Sequence, residues 1–202
     1  MAGLLSNLRN TVVLSFLLAL VFIAAYFSAY GGHADQIFCT AVLRWLHVLC
    51  GIMWIGLLYY FNFVQLRVMP QIPAELKPAV SKYVAPEALF WFRWGAALTL
   101  LMGILLAGAR GYIGAAYSLG ASEHFADRGH ILIGIGMWLG TIMAFNVWVF
   151  IWPNQKIALG LVEADADAKA KAARTAMLVS RTNVLLSIPM LVAMTMHQTL
   201  IG

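Results

Sequence analysis

Apolar and polar positions fall into long alternating blocks along this chain. Five apolar blocks run at approximately Thr11–Tyr30, Thr40–Val64, Leu89–Ala109, His130–Trp152 and Leu178–Leu200. A helix needs roughly 20 apolar residues to cross a bilayer, so each block predicts one spanning helix. The connections differ in character. "GGHADQI" is short, and "GYIGAAYSLGASEHFADRG" is glycine-rich. "RVMPQIPAELKPAVSKYVAPEA" is broken by prolines and is expected at the membrane interface. "NQKIALGLVEADADAKAKAARTA" mixes alanine with both charges and is expected to continue as solvated helix, with Asp165 and Asp167 as solvated charge. The first block is longer than the apolar core of a signal peptide, about 7–15 residues, and no clean A-x-A site follows it. It reads as a retained helix.

The second and fourth blocks carry the same polar interruptions. "RWLHVLCGIMWIGLLYYFNFVQ" starts at Arg44, and "RGHILIGIGMWLGTIMAFNVWV" starts at Arg128. Aligning His47 with His130 also pairs Gly51 with Gly134. After a one-residue gap at Gly136, Trp54 meets Trp138, Gly56 meets Gly140 and Asn62 meets Asn146. The third and fifth blocks align more weakly, with Arg93 opposite Arg181 and Met102 opposite Met190. Such self-similarity implies two copies of one helix pair. Both copies enter the membrane from the same side, which implies a pseudo-twofold axis along the membrane normal. The expected architecture is an all-α integral membrane protein of five transmembrane helices. Helices two to five form a pseudo-twofold four-helix bundle, and the first helix lies outside it. The whole chain, 1–202, reads as one membrane domain. Helix one covers about 11–30, repeat unit one about 40–110 and repeat unit two about 122–200.

One residue spoils the symmetry. His47 precedes Trp54 by seven positions, whereas His130 precedes Trp138 by eight. One residue turns a helix by about 100°, so regular helices would put the two histidines on different bearings. A π-bulge near Gly134–Gly136 would absorb the extra residue and is expected there. A regular fourth helix would instead favour His197 as the partner of His47. His130 also sits at the edge of its block while His47 lies well inside. The fourth helix is therefore expected to begin early, near Ser122, a favoured N-cap type, with Glu123 at the positive helix end.

Composition sharpens the class. Hydrophobic residues make up 62% of the 202, charged residues 10%, and mean hydropathy is +0.84. Soluble domains carry about a quarter charged residues, so the lipid bilayer is the first partner. The formal charge of +5 does not imply nucleic acid, because basic residues of a membrane protein mostly set orientation. With the N-terminus inside, Arg9, Arg67, Lys77, Lys82, Arg93, Lys156, Lys169, Lys171, Arg174 and Arg181 lie inside. Only Arg44, Arg110 and Arg128 of the 13 basic residues lie outside. The N-terminus is therefore expected inside and the C-terminus outside. That topology puts all five histidines at the outer side. Cys39 and Cys50 form no CxxC or CxxCH motif and are expected as free thiols.

The chemistry concentrates in the repeat. An ionisable residue within a span is a functional candidate, and neutral imidazole is the commonest metal ligand. His47, His130 and His197 are the candidate metal ligands, with His47 and His130 facing each other across the axis. Gly51, Trp54, Gly134 and Trp138 are candidates for lining a cofactor pocket. Small residues and tryptophans at these positions also fit plain helix packing. Arg44 and Arg128, just before the two histidines, can hold carboxylates such as haem propionates in bidentate fashion, or snorkel to headgroups. No G-x-S-x-G and no P-loop is present. Three functions stay open. One is a b-type haem protein in electron transfer or as an oxidoreductase subunit, taking electrons from quinol or a small reductant and passing them to a cytochrome or respiratory-complex partner. Another is a copper-handling membrane protein, with Met194 and Met196 beside His197. The last is a cofactor-free assembly subunit. A homo-oligomer is compatible with each.

"RWLHVLCGIMWIGLLYYFNFVQ", "ALFWFRWGAALTLLMGILL" and "GTIMAFNVWVFIWPNQK" resemble the membrane domain of the bacterial cytochrome-linked urate oxidases, the urate oxidase N-terminal family. "ALFWFRWGA" and "FNVWVFIWPNQK" are the more specific motifs. The resemblance covers most of the chain from Arg44 to Arg181 and implies a redox role, with oxidation of urate as the activity, in the cytoplasmic (inner) membrane of a bacterium. Members of that family join a longer membrane domain to a C-terminal cytochrome c. With no CxxCH in this sequence, the expectation is a form lacking that cytochrome. The histidine-plus-tryptophan helices also resemble copper-resistance proteins of the D type.

Overall fold

A computed structural model describes residues 2–200 of the chain. It is all-α, with no strand among the described residues, and five of its helices are long and apolar enough to cross a membrane. The chain divides into two compact units, residues 1–42 and 43–202.

In the first unit, α1 (Leu8–Ala29) starts at Asn7, whose side chain accepts a hydrogen bond from the Asn10 amide at 3.3 Å. None of its residues is buried, as suits a helix that is apolar on every side. The next helix, α2 (Gln36–Tyr59), opens with the Asp35 carboxylate accepting from the Phe38 amide at 2.8 Å.

The second unit holds the rest of α2 together with α3 (Ala85–Ala109), α4 (Arg128–Phe145) and α5 (Ala166–Leu200). The predicted solvated helix before the last span is present from Ala166 onward, whereas residues 159–165 break it as a turn and loop. The Asp165 carboxylate accepts from the Ala168 amide at 2.7 Å and caps α5, so α5 begins about a dozen residues before the apolar block. The core is a cluster of Trp54, Leu58, Phe61, Leu89, Phe92, Met143, Val147 and Ile151, drawn from α2, α3, α4 and the turns that follow α2 and α4. A smaller cluster of Ala107, Ala116, Ile133 and Met137 lies where the short helix Ile113–Tyr117 packs on α4. Outward-facing Trp91, Leu98, Leu101, Ile142, Phe145, Leu185 and Ile188 stay exposed. In a bilayer these apolar surfaces face lipid tails at no hydrophobic cost.

Polar side chains also tie the helices together. Asn62 donates to the Ser180 hydroxyl at 2.8 Å, Asn146 donates to the Asn183 carbonyl oxygen at 2.8 Å, and Asn183 donates to the Met143 carbonyl at 2.9 Å. Asn183 and Ser187 are fully buried. Interhelical bonds of this kind serve as glue where lipid competes equally for apolar surface.

The repeat leaves a mark in the backbone. Both α2 and α4 run directly into π-helical turns, Tyr60–Gln65 and Asn146–Ile151, which hold the aligned Asn62 and Asn146. A third π turn, Val80–Val84, leads into α3. Pro86 and Pro153 follow two of these turns. Proline lacks an N–H and crowds the carbonyl four residues back, and the wider π turn accommodates it.

Two local expectations are corrected. Residues 128–145 form an unbroken α-helix, so the π-bulge expected near Gly134–Gly136 does not exist; the π turn lies further along, at Asn146–Ile151. The fourth helix also starts at Arg128 and not near Ser122. Ser122 belongs to a 3-10 turn, Ala121–Glu123, and His124 and Phe125 adopt left-handed φ of 51° and 60°, which stops any helix there. Asp127 caps the helix instead, its carboxylate accepting from the Gly129 amide at 2.6 Å. Cys39 and Cys50 are free, as expected.

Candidate functional site

A cavity of about 580 Å³ opens among α2, α3, α4 and α5. That lies within the range of roughly 300–1,000 Å³ usual for small-molecule and cofactor sites. Its wall is mostly apolar, and the polar groups on it are few. From α2 come Arg44, His47, Gly51 and Trp54; from α3, Thr99 and Gly103; from α5, Met190, Met194 and His197. Arg110, Tyr112, Tyr117 and Met137 complete the parts with chemical interest.

His47 is held in one orientation. Its Nδ1 lies 2.9 Å from the Thr99 carbonyl oxygen. A carbonyl only accepts, so Nδ1 carries the proton and donates, and Nε2 keeps its lone pair. Among the described residues Nε2 has no hydrogen-bond partner. A ligating histidine is typically fixed in this way, with its second nitrogen donating to a backbone carbonyl. Room for the ring comes from Gly103: a Cβ there would lie 2.9 Å from Cε1 and 3.0 Å from Nδ1 of His47.

Two further donors on the wall have no protein acceptor among the described residues. They are the Trp54 indole Nε1 and the Arg44 Nε. Trp54 is only 2% exposed. A buried N–H without a partner costs free energy, about 1–3 kcal/mol, so a group with an acceptor atom is expected to meet it. Beside the cavity Tyr112 lies between two imidazoles, 6.2 Å from the ring of His197 and 5.7 Å from that of His130. Burial pushes its phenol pKa up, and the charges of Arg110 and Arg44 pull back part of that rise.

The nine residues singled out from the sequence divide in two. Arg44, His47, Gly51, Trp54 and His197 share the wall of this cavity. His130, Arg128, Gly134 and Trp138 are not on it. His130 Nδ1 lies 2.6 Å from a Glu123 carboxylate oxygen, and its Nε2 lies 3.8 Å from Asp127. Arg128 is exposed at the start of α4. Gly134 packs against the short helix: a Cβ there would lie 2.1 Å from the Ala116 carbonyl oxygen. Trp138 donates to the Tyr117 carbonyl at 2.9 Å and packs edge-on against the Tyr117 ring. Met194 lines the cavity, whereas Met196 is exposed. No group of three or more His, Cys, Asp or Glu side chains among the described residues is arranged to hold a metal ion.

Thr99, Gly103 and Tyr112 were not legible as site residues. Thr99 acts through its backbone carbonyl, which carries no side-chain signature. Gly103 is one small residue in an apolar run, and its only signal is that small residues in spans mark close approach.

Residues 111–200 match the family model described as urate oxidase N-terminal. The matched stretch holds α4, α5 and His197, and it begins after α2, α3 and His47. No curated protein and no solved structure matches the chain.

Proposed function

We propose that this protein is a membrane-bound b-type haem protein, acting in electron transfer or as an oxidoreductase subunit. The observation that carries the reading is the cavity wall that brings His47, locked as an Nδ1–H donor to Thr99, together with His197. His47 and His197 would hold the iron, in place of the His47–His130 pair that the repeat suggests. Arg44 and Arg110 would receive the propionates, since guanidinium groups pair with carboxylates through two parallel hydrogen bonds. The apolar wall excludes water and raises the cost of charge inside, which tunes a redox group. Bound haem would supply one-electron chemistry. Trp54 donates an unused N–H toward whatever acceptor the occupant presents. Electrons would arrive from quinol or a small reductant and leave to a cytochrome or respiratory-complex partner. The family match directs the first substrate assay to urate. Ten of 13 basic residues on the N-terminal side support a cytoplasmic-membrane orientation with the N-terminus inside.

A specific observation favours copper as the second reading. Met137, Met190 and Met194 line the same cavity as the two histidines, and thioether with imidazole suits copper.

The test is a pair of visible spectra, oxidised and reduced, of the full chain purified in detergent. A sharp reduced b-type band with one haem per chain is the expected result. His47→Ala and His197→Ala should each lose the band, while His130→Ala keeps it. Copper without haem would establish the second reading. A band that survives His47→Ala would overturn the ligand assignment.

A further inference from the structure

The two most specific sequence motifs, "ALFWFRWGA" and "FNVWVFIWPNQK", contribute nothing to the cavity wall, yet they meet each other. Arg93 of α3 lies over the ring of Trp152, in the helix Trp152–Ala158, with its guanidinium carbon 3.3 Å from the ring centroid. Lys156 approaches the same ring, its Nζ 5.7 Å from the centroid. One turn away Trp94 packs edge-on against Trp148 at 5.6 Å. Both of these tryptophans are exposed on the outside of the bundle, as is Trp91.

Two cations therefore share one aromatic platform with no anion. Among the described residues neither Arg93 nor Lys156 has an ion pair or a side-chain hydrogen bond, and the Arg93 Nε is buried without a partner. A guanidinium this close to the ring leans on its π-system through its face. Its N–H donors lie in the guanidinium plane and stay available. Such a fork matches phosphate oxygens in pairs. A charge at the apolar boundary is costly without a counter-charge. The exposed tryptophans around it are the residues that favour the membrane interface, at headgroup depth. We infer that Arg93 and Lys156, seated on Trp152, form a binding site for the phosphate headgroup of an anionic phospholipid. The occupant is a lipid because the site adjoins the exposed apolar rings of Trp94 and Trp148 and lies away from the cavity.

The test compares the full chain in nanodiscs of phosphatidylcholine alone and of phosphatidylcholine with phosphatidylglycerol. The wild type should melt about 4–8 °C higher with the anionic lipid, as expected for two basic side chains near an anionic surface in a chain of this size. Arg93→Gln and Lys156→Gln should each lose at least half of that rise and keep the melting point in phosphatidylcholine within a few degrees. Arg181→Gln, an exposed arginine on α5, should keep the full rise. Three results would overturn the site. Arg93→Gln lowering the melting point equally in both lipids while Lys156→Gln changes nothing would be the signature of a purely structural stack. Arg181→Gln losing as much as the others would reveal general surface charge. Inorganic phosphate reproducing the rise in phosphatidylcholine would make the ligand a free anion. If Arg93→Gln does not fold, Lys156→Gln and Arg93→Lys decide between these outcomes.

Discussion

The repeated stretches of α2 and α4 begin from nearly the same residues and end in different roles. His47 lines the cavity, with Nδ1 held by the Thr99 carbonyl at 2.9 Å. His130, its aligned counterpart, turns to Glu123 at 2.6 Å and leaves the cavity to others. Gly51 lines the cavity with ordinary clearance, 3.7 Å from its would-be Cβ to Thr99, while a Cβ at Gly134 would overlap the Ala116 carbonyl oxygen. Both asparagines fall in the π turns, Asn62 as the third residue of its turn and Asn146 as the first. The stretch from His130 to Asn146 carries one residue more than that from His47 to Asn62, and one residue turns a helix by about 100°. One inserted residue is enough to reassign a histidine and a glycine in one copy of a repeat.

The largest effect should come from the aligned glycines. Gly134→Ala forces a Cβ onto backbone that cannot move aside, and overpacking of this kind costs about 3 kcal/mol or more. Gly51→Ala should stay within about 0.5 kcal/mol, because alanine favours helix and the space is open. Thermal melts of both variants in detergent check the contrast. Equal losses would break it. Next comes Gly103→Ala, which presses on the His47 ring at 2.9 Å. It should cost about 1–3 kcal/mol and reduce occupancy of the cavity in the same spectra that test the haem reading. Full occupancy would mean that the ring has another stable pose. Asp127→Ala removes the α4 cap and should cost about 1 kcal/mol in a denaturation series, whereas Ser122→Ala should cost almost nothing. Smallest of all, Glu123→Gln should change stability by less than about 1 kcal/mol, since its pair with His130 is partly exposed. A larger loss would give the α4 copy a structural weight that its exposure does not suggest.

Much of the fold was readable along the chain. Five apolar blocks became five spanning helices because length and hydropathy are local quantities. Free thiols and the solvated start of α5 were readable for the same reason. Helix ends were less so. Ser122 has cap chemistry, but His124 and Phe125 take left-handed backbone, and nothing in their side chains announces it. The site was half readable. Arg44, His47, Gly51, Trp54 and His197 meet as a cavity wall, whereas Arg128, His130, Gly134 and Trp138 were drawn in by the repeat and lie elsewhere. Thr99 and Gly103 act through a carbonyl and through an absent side chain, which leave no pattern in residue type.

By itself, then, the sequence determined the class, the spans, the repeated helix and the set of residues able to carry chemistry. It even contained the conflict, because the extra residue between His130 and Trp138 can be counted. Only the tertiary structure decided how that residue is accommodated. A π-bulge would have preserved the symmetry. The close packing of Gly134 on the Ala116 carbonyl instead goes with an unbroken α-helix, which leaves His47 and His197 on the cavity wall and His130 off it. Helical phase is set by which faces pack together, and that is a property of neighbouring helices, which no single segment encodes.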